Sequence, residues 1–270
     1  MSASSALSCP TTCCSGRRLR AAAEHEIVGR TMTETVDSTV PEPAPPSPEM
    51  VARRAIVLAT VSCRGVLELD PARDEAARFW TRVSDWWSRL GLSAELEPRE
   101  AALLAAAFGT SPQQQLVDAS WRSEALSVLA WALQRAGLPS HDEQVDPAVV
   151  ASALGFLEDH TVLESPALRP APELENYSNV AFTIHWRLVD YSLNHRALDF
   201  AKFCETAWFG PLPLDGVRLV EGDLAIGKLP ISRAAEHDVR NAMSAAQERH
   251  QAANWLLDAS SLFSETGTST

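Results

Sequence analysis

The chain has 270 residues, a formal net charge of −12 and an apolar fraction of 46%, which is sufficient for a folded core. An acidic chain lacks the basic surface that binds nucleic-acid phosphates or anionic membranes, so we expect neither partner. Its five cysteines show no regular spacing, and no segment approaches the length of a membrane span. These features predict a cytoplasmic protein in a reducing compartment.

The N-terminal part of the chain, residues 1–48, is predicted to be a disordered tail. It is rich in Pro, Ser and Thr, and the proline-dense segment 41–48 is typical of an extended linker. Three methionines are alternative translation starts: Met1, Met32 and Met50. A helical domain is expected over residues 49–264, followed by a frayed C-terminus over residues 265–270.

The first two helices are predicted from their start signals. Ser47 precedes Pro48, and Asp70 precedes Pro71, which places a capping residue before a proline at the first helical position. The first helix is expected to end at about Gly65. The second is expected to end at about residue 90, before a glycine stop.

The next helices surround a strongly apolar one. A third helix is predicted from Glu97 to near Gly109, and a fourth begins at Ser111. The fourth is apolar almost all round over residues 125–133, which predicts a central position. A shorter helix is expected over residues 146–157.

The second half of the chain is predicted to hold two long helices around a small β-hairpin. One helix is expected from residues 173–178 to about Asn194, with a bend or a second piece through Phe203. The alternation over residues 217–231 predicts a hairpin that packs on the helices. The last helix ends at Leu257, so the predicted class is mainly all-α, in a single multi-helix domain.

A histidine interrupts the apolar face of the last helix. The stripe of this helix consists of apolar residues at helical spacing: Val239, Met243, Ala246, Ala253 and Leu257. His250 falls on that stripe, with Gln247 and Asn254 within one turn. Such a histidine is either a hydrogen-bonded core residue or a catalytic or ligand-binding one.

Polar residues also lie at or near apolar faces of two other helices. With those of the last helix they form a candidate cluster: Arg122, Glu124, His185, Arg187, Glu248, Arg249, His250 and Asn254. We expect them to meet in one polar network. The structural interpretation pairs Arg122 with Glu248 and Glu124 with Arg249. The functional alternative is a small-molecule pocket in which Glu248 or His250 acts as acid or base.

Other chemistries find little support in the sequence. Glu248 and His250 are two residues apart and point to different faces of a helix, so no metal site is expected. Cys63 and Cys204 lie in apolar segments, which does not suit a nucleophile. No glycine-rich phosphate loop opens a helix, and no cofactor is expected.

Four segments form an ordered series along the chain: Arg54-Ala55-Ile56-Val57-Leu58, Trp121-Arg122-Ser123-Glu124-Ala125-Leu126 with Trp131-Ala132-Leu133, Ile184-His185-Trp186-Arg187, and Glu248-Arg249-His250-Gln251-Ala252-Ala253-Asn254-Trp255-Leu256. A weaker fifth segment is Gly222-Asp223-Leu224-Ala225-Ile226. Over residues 50–270 this series resembles the bacterial family known as domain of unknown function 4272, although the chain departs from the family near Phe263. The resemblance implies a helical, intracellular bacterial protein and brings no known activity, cofactor or catalytic residue.

Two functions of different classes follow from these patterns. The first is a helical interaction or accessory domain, which predicts an exposed apolar patch or groove for an unknown protein partner. The second is an enzyme or small-molecule-binding protein that uses the polar cluster, which predicts a concave pocket reached by Glu248, Arg249 or His250. Whether the protein is an enzyme is left open.

Overall fold

The computed structural model describes residues 44–158, 161–259 and 261–270. The elements in chain order are α1 (Pro48–Leu69), α2 (Arg73–Leu90), α3 (Pro98–Ala105), α4 (Gln113–Ala132), α5 (Pro147–Ala153), α6 (Thr161–Glu164), α7 (Ala171–Asn194), α8 (Phe200–Thr206), β1 (Leu219–Val220), β2 (Asp223–Ile226), β3 (Leu229–Pro230) and α9 (Glu236–Leu257). Short 3-10 helices lie at Leu92–Glu95, Ile231–Arg233 and Phe263–Glu265. The predicted mainly helical class is confirmed.

The predicted tail lies, up to residue 43, outside the described residues. The predicted domain limits and the frayed end over residues 265–270 stay predictions. Within the described ranges, no helix combines the length and the apolar composition that a bilayer crossing requires.

Helices α1 and α4 pack closely against each other along most of their length. A Cβ atom on Gly65 would lie 2.7 Å from the carbonyl oxygen of Leu116, on the backbone of α4. Only a glycine permits this approach. The prediction that α1 ends at Gly65 is therefore wrong: the helix continues to Leu69, and Gly65 serves a helix contact.

Two other helices are shorter than predicted: α3 ends at Ala105 and α5 at Ala153. Helix α7 begins slightly earlier than expected, at Ala171. The α4 helix has the central position that its apolar sequence predicts, because residues 123–130 are all buried.

The core divides into two clusters of buried side chains. The larger cluster joins α1, α2 and α4 to the C-terminal half of α9, where Trp255 is 5% exposed. The smaller cluster lies between the C-terminal half of α7, α8, β2 and the N-terminal half of α9. Of the seven tryptophans that lie in helices, four are buried: Trp80, Trp86, Trp87 and Trp255. Three are half-buried: Trp121, Trp131 and Trp186.

The predicted hairpin is present and is extended by a third strand. The strands are antiparallel in the order β1-β2-β3, with Leu219 opposite Leu224 and Ala225 opposite Pro230. Strand β2 is buried along its whole length, because it packs on α8 and α9.

Helix α9 lies between α4 and α7 and contacts both. It is antiparallel to α7, because Ser178 hydrogen-bonds to Asn254 while His185, further along α7, reaches back to His250. Polar side chains of α9 therefore meet partners on two different helices.

Candidate functional site

Glu124 and Arg249 form a buried ion pair between α4 and α9. The Nε and Nη2 atoms of Arg249 donate to Oε2 of Glu124 at 2.9 and 2.7 Å. Arg249 also donates to the carbonyl oxygens of Ser140 and Glu143, and the amide of Val145 donates to Oε1 of Glu124 at 3.0 Å. The pair therefore holds the loop of residues 140–145 against the two helices.

Arg122 and Glu248 form the second predicted pair, one turn away on the same two helices. Nη1 of Arg122 donates to Oε2 of Glu248 at 3.0 Å and to Oε1 of Gln251 at 3.1 Å. Gln251 in turn donates to the carbonyl oxygen of Phe263 at 2.6 Å. Burial raises the pKa of the Glu248 carboxyl, against the opposing effect of Arg122. Both ion pairs that the sequence predicts are present.

His185, His250 and Asn254 form a third group, between α7 and α9. The Nδ1 atoms of the two histidines are 3.0 Å apart, and Nδ2 of Asn254 lies 3.1 Å from Nε2 of His250. The Oγ atom of Ser178 donates to Oδ1 of Asn254 at 3.0 Å. Burial lowers the pKa of both histidines, that of His250 to about 4 with a contribution from His185. Both rings are therefore neutral near pH 7.

Arg187 belongs to a fourth group, which is separate from the other three. It is fully buried, and it donates to both carboxylate oxygens of Asp223 on β2 at 2.8 Å and to Asp190 at 2.8 Å. The expectation of one common network is therefore wrong: the eight cluster residues divide into four groups. Arg187 joins α7 to the sheet, because its bidentate partner lies on β2.

Two concave surfaces lie on opposite flanks of α9. One is a wide groove of about 810 Å³ whose wall includes Arg122 and Glu248. The other, which we call the α7–α9 cavity, has a volume of about 380 Å³. Its wall includes Arg249, but His250 is only 2% exposed between the helices. Two of the three residues expected to reach a pocket therefore line one.

The lining of the α7–α9 cavity comes from four parts of the chain. They are the C-terminal end of α4 with the loop after it, the first half of α7, the middle of α9 and the segment before β1: Trp131, Leu138, Pro139, Ser140, His141, Glu173, Asn176, Tyr177, Val180, Ala181, Ile184, Asp215, Gly216, Val217, Ala246 and Arg249.

An exposed group of aromatic side chains follows α8. Trp208 is 92% exposed, and its ring lies 5.3 Å from that of Phe209, which in turn lies 6.3 Å from Phe182 on α7. Beside them is a groove of about 680 Å³, which we call the aromatic groove, lined by Asn176, Asn179, Phe182, Phe209, Gly210, Pro211, Leu212 and Pro213. Sequence reasoning missed Trp208, although its position in a Gly- and Pro-containing segment rather than a helix was a usable signal.

Neither a metal centre nor a reactive thiol is present in the part of the chain that the structure describes. No group of three or more His, Cys, Asp or Glu side chains there is placed to hold a metal ion. Burial raises the pKa of Cys63 to about 12 and that of Cys204 to about 11, so both thiols are protonated near pH 7.

Comparison with known protein families gives a match over most of the chain. A family model described as Domain of unknown function (DUF4272) matches residues 18–200, which is more than half of the chain. The match ends at the start of α8, before the sheet and α9. No curated protein and no solved structure matches the chain.

Proposed function

The chain belongs to the family described as Domain of unknown function (DUF4272), and from that premise we propose that it is a protein-interaction domain of the bacterial cytoplasm. The observation that supports the proposal is the exposure of Trp208, at 92%. A fully exposed tryptophan beside other aromatic rings contributes nothing to the core, whereas tryptophan is enriched among the residues that dominate binding energy at interfaces. The free thiols of Cys63 and Cys204 suit a reducing compartment.

The composition of the aromatic groove indicates the kind of partner. None of its eight lining residues is charged, although the chain as a whole has a net charge of −12. Two phenylalanines and two prolines provide an apolar surface. Asn176 and Asn179, one turn apart on α7, add exposed amide groups that can bond to a peptide backbone.

The occupant that fits these features is an extended, uncharged segment of a partner protein with proline or aromatic side chains. Aromatic-lined grooves bind such segments because an extended proline-containing chain loses little conformational entropy on binding. Ionic contacts play no part in this recognition, so the affinity should change little between about 50 and 500 mM salt.

Selection from a random decapeptide display library tests the proposal. We expect the enriched peptides to be rich in proline and aromatic residues and poor in charged ones. Trp208→Ala should weaken their binding about thirtyfold or more, the effect of losing a dominant interface residue. Leu193→Ala is the matched control, because Leu193 is an exposed apolar residue of α7, at 76%, outside the groove. Trp208 does not line the groove either, but its ring lies 5.3 Å from that of Phe209, which does.

Three results would contradict the proposal. The first is enrichment of charged peptides, or of none. The second is equal binding by the Trp208→Ala variant. The third is a dimer in sedimentation that dissociates in the Trp208→Ala variant, since a second copy of the chain would then cover the groove.

A further inference from the structure

The α7–α9 cavity is distinct from the aromatic groove, although Asn176 lines both, and contacts within the protein hold its wall in place. On one side the loop of residues 140–145 is fixed by the Glu124–Arg249 pair. The same loop is tied to the sheet, because Nε2 of His141 bonds to the carbonyl oxygen of Ala225 at 2.7 Å and the amide of Gly227 donates to Asp142 at 2.7 Å. Arg218 also pairs with Asp142. Pre-formed cavities of this kind are typical of small-molecule sites.

The charges around the cavity are almost entirely neutralised. Arg249 is paired with Glu124, and Glu173 is paired with Arg169 at 3.0 Å. Among the described residues this leaves the exposed carboxylate of Asp215 as the lining charge without an ion pair. An anionic ligand such as a phosphate ester would therefore meet no free cation and one free carboxylate.

Aromatic rings form one side of the cavity. The rings of Trp131 and Tyr177 lie 4.8 Å apart with their planes tilted by 45°. Arg169 lies in the segment just before α7, and its guanidinium group stacks on the Trp131 ring, 4.9 Å from the ring centroid. A planar ligand can contact these rings with the offset or edge geometry that aromatic pairs favour.

Three polar groups of the lining can still form hydrogen bonds. The hydroxyl of Tyr177 has no hydrogen-bond partner among the described residues, and burial raises its pKa to about 12, so it remains a donor. Burial lowers the pKa of His141, so its ring is neutral; since Nε2 donates to the Ala225 carbonyl, Nδ1 is an acceptor. The exposed side-chain amide of Asn176 provides both a donor and an acceptor.

We propose that the α7–α9 cavity binds an uncharged aromatic nitrogen heterocycle of the size of a purine base. A volume of about 380 Å³ lies within the usual range of small-molecule sites and readily admits a ligand of this size. A planar ring system that has both donors and acceptors matches the aromatic wall and the free groups of Tyr177 and His141. The described residues of the lining include no unpaired cation, so phosphorylated forms of this heterocycle should bind more weakly.

Titration of the full-length protein with adenine tests this assignment, with adenosine monophosphate as the charged comparison and indole as a ring that offers a donor alone. Isothermal calorimetry should show binding in the order adenine, indole, adenosine monophosphate. Tyr177→Phe removes one hydroxyl and keeps the ring, so it should weaken adenine binding about tenfold, the loss of one hydrogen bond. Ala246→Leu places a larger side chain in the cavity and should abolish binding.

Controls separate this site from the aromatic groove. Phe209→Ala alters the groove and should leave adenine binding unchanged, whereas the cavity variants should retain peptide binding. The assignment is overturned if neither adenine nor indole binds, if adenosine monophosphate binds more tightly than adenine, or if adenine binds Tyr177→Phe and a folded Ala246→Leu variant as it binds the wild type. If Ala246→Leu does not fold, Tyr177→Phe alone decides.

Discussion

The Nδ1 atom of His250 lies 3.0 Å from the Nδ1 atom of His185, which fixes the protonation of both rings. The amide nitrogen of Asn254 donates to the carbonyl oxygen of Gly267 and to Nε2 of His250, so Nε2 must accept. His250 therefore has its proton on Nδ1 and donates it to His185, whose own proton is on Nε2. This hydrogen-bond chain requires two neutral rings, because two protonated rings would place two N–H donors against each other.

Acidification should destabilise the protein because of His250. The pKa of His250 is about 4 in the folded state, against an ordinary 6.5, mainly because of burial and then because of His185. Between these values the unfolded chain binds a proton that the folded chain does not, so stability falls as the pH drops. The loss should total roughly 2–4 kcal/mol between pH 6.5 and 4.

Urea unfolding measured at intervals of pH tests this slope. His250→Gln should flatten the dependence, whereas His237→Gln, on the exposed face of the same helix, should leave it unchanged. His185 contributes to the remaining slope, because burial lowers its pKa as well. An identical slope in wild type and His250→Gln would show that His250 does not titrate in this range.

Removal of the His250 side chain should destabilise the domain at neutral pH. His250→Ala removes the partner of Nδ1 of His185 and one of the partners of the Asn254 amide, at a cost of about 1–3 kcal/mol. At about 2–4 °C per kcal/mol, the melting temperature should fall by several degrees. His237→Ala is the control and should melt like the wild type. An unchanged or higher melting temperature for His250→Ala would mean that the position is not held for stability.

Removal of the Glu124 charge should strongly destabilise the protein, because it breaks a buried ion pair. Glu124→Gln keeps the volume but leaves Arg249, which is 5% exposed, without a counter-charge, so the free energy of unfolding should fall by about 3–5 kcal/mol. The matched control is Glu221→Gln, which removes an exposed ion pair with Arg233 and should cost about 0–1 kcal/mol. Equal effects of the two variants in chemical denaturation would refute a structural role for the Glu124–Arg249 pair.

Gly65 should not tolerate even the smallest side chain. Alanine is about 1 kcal/mol better than glycine inside a helix, but its Cβ would lie 2.7 Å from two backbone atoms of α4. Gly65→Ala should therefore lower the melting temperature, because α1 and α4 must separate. Gly137→Ala, at a position with open space around it, should have little effect. A stabilised Gly65→Ala variant would mean that the helices can move apart freely.

The local features of the fold were predictable from the sequence. Ser47 caps α1, with its Oγ accepting from the amide of Met50 at 3.3 Å, and the last helix ends at Leu257 as its periodicity indicates. The pairs Arg122–Glu248 and Glu124–Arg249 could also be predicted. A charged residue on an apolar face requires a partner of opposite charge, and the two helices offered few choices.

The non-local features could not be predicted in the same way. Gly65 has the sequence signal of a helix stop, and only the position of α4 shows that it serves a close contact. Arg187 pairs with Asp223, a residue of the sheet 36 positions further along the chain, which no helical spacing could indicate. The exposure of Trp208 likewise depends on how the segment after α8 packs on α7.

The most direct test of peptide binding at the aromatic groove uses the indole N–H signals of the eight tryptophans in a two-dimensional NMR spectrum. An enriched, uncharged peptide is titrated into the protein, with signals assigned by single substitutions. We predict that the Trp208 signal shifts strongly, while those of the buried Trp80 and Trp86 stay in place. A Trp208 signal that does not move while Trp131 or Trp255 responds would place the peptide elsewhere and contradict the proposed function.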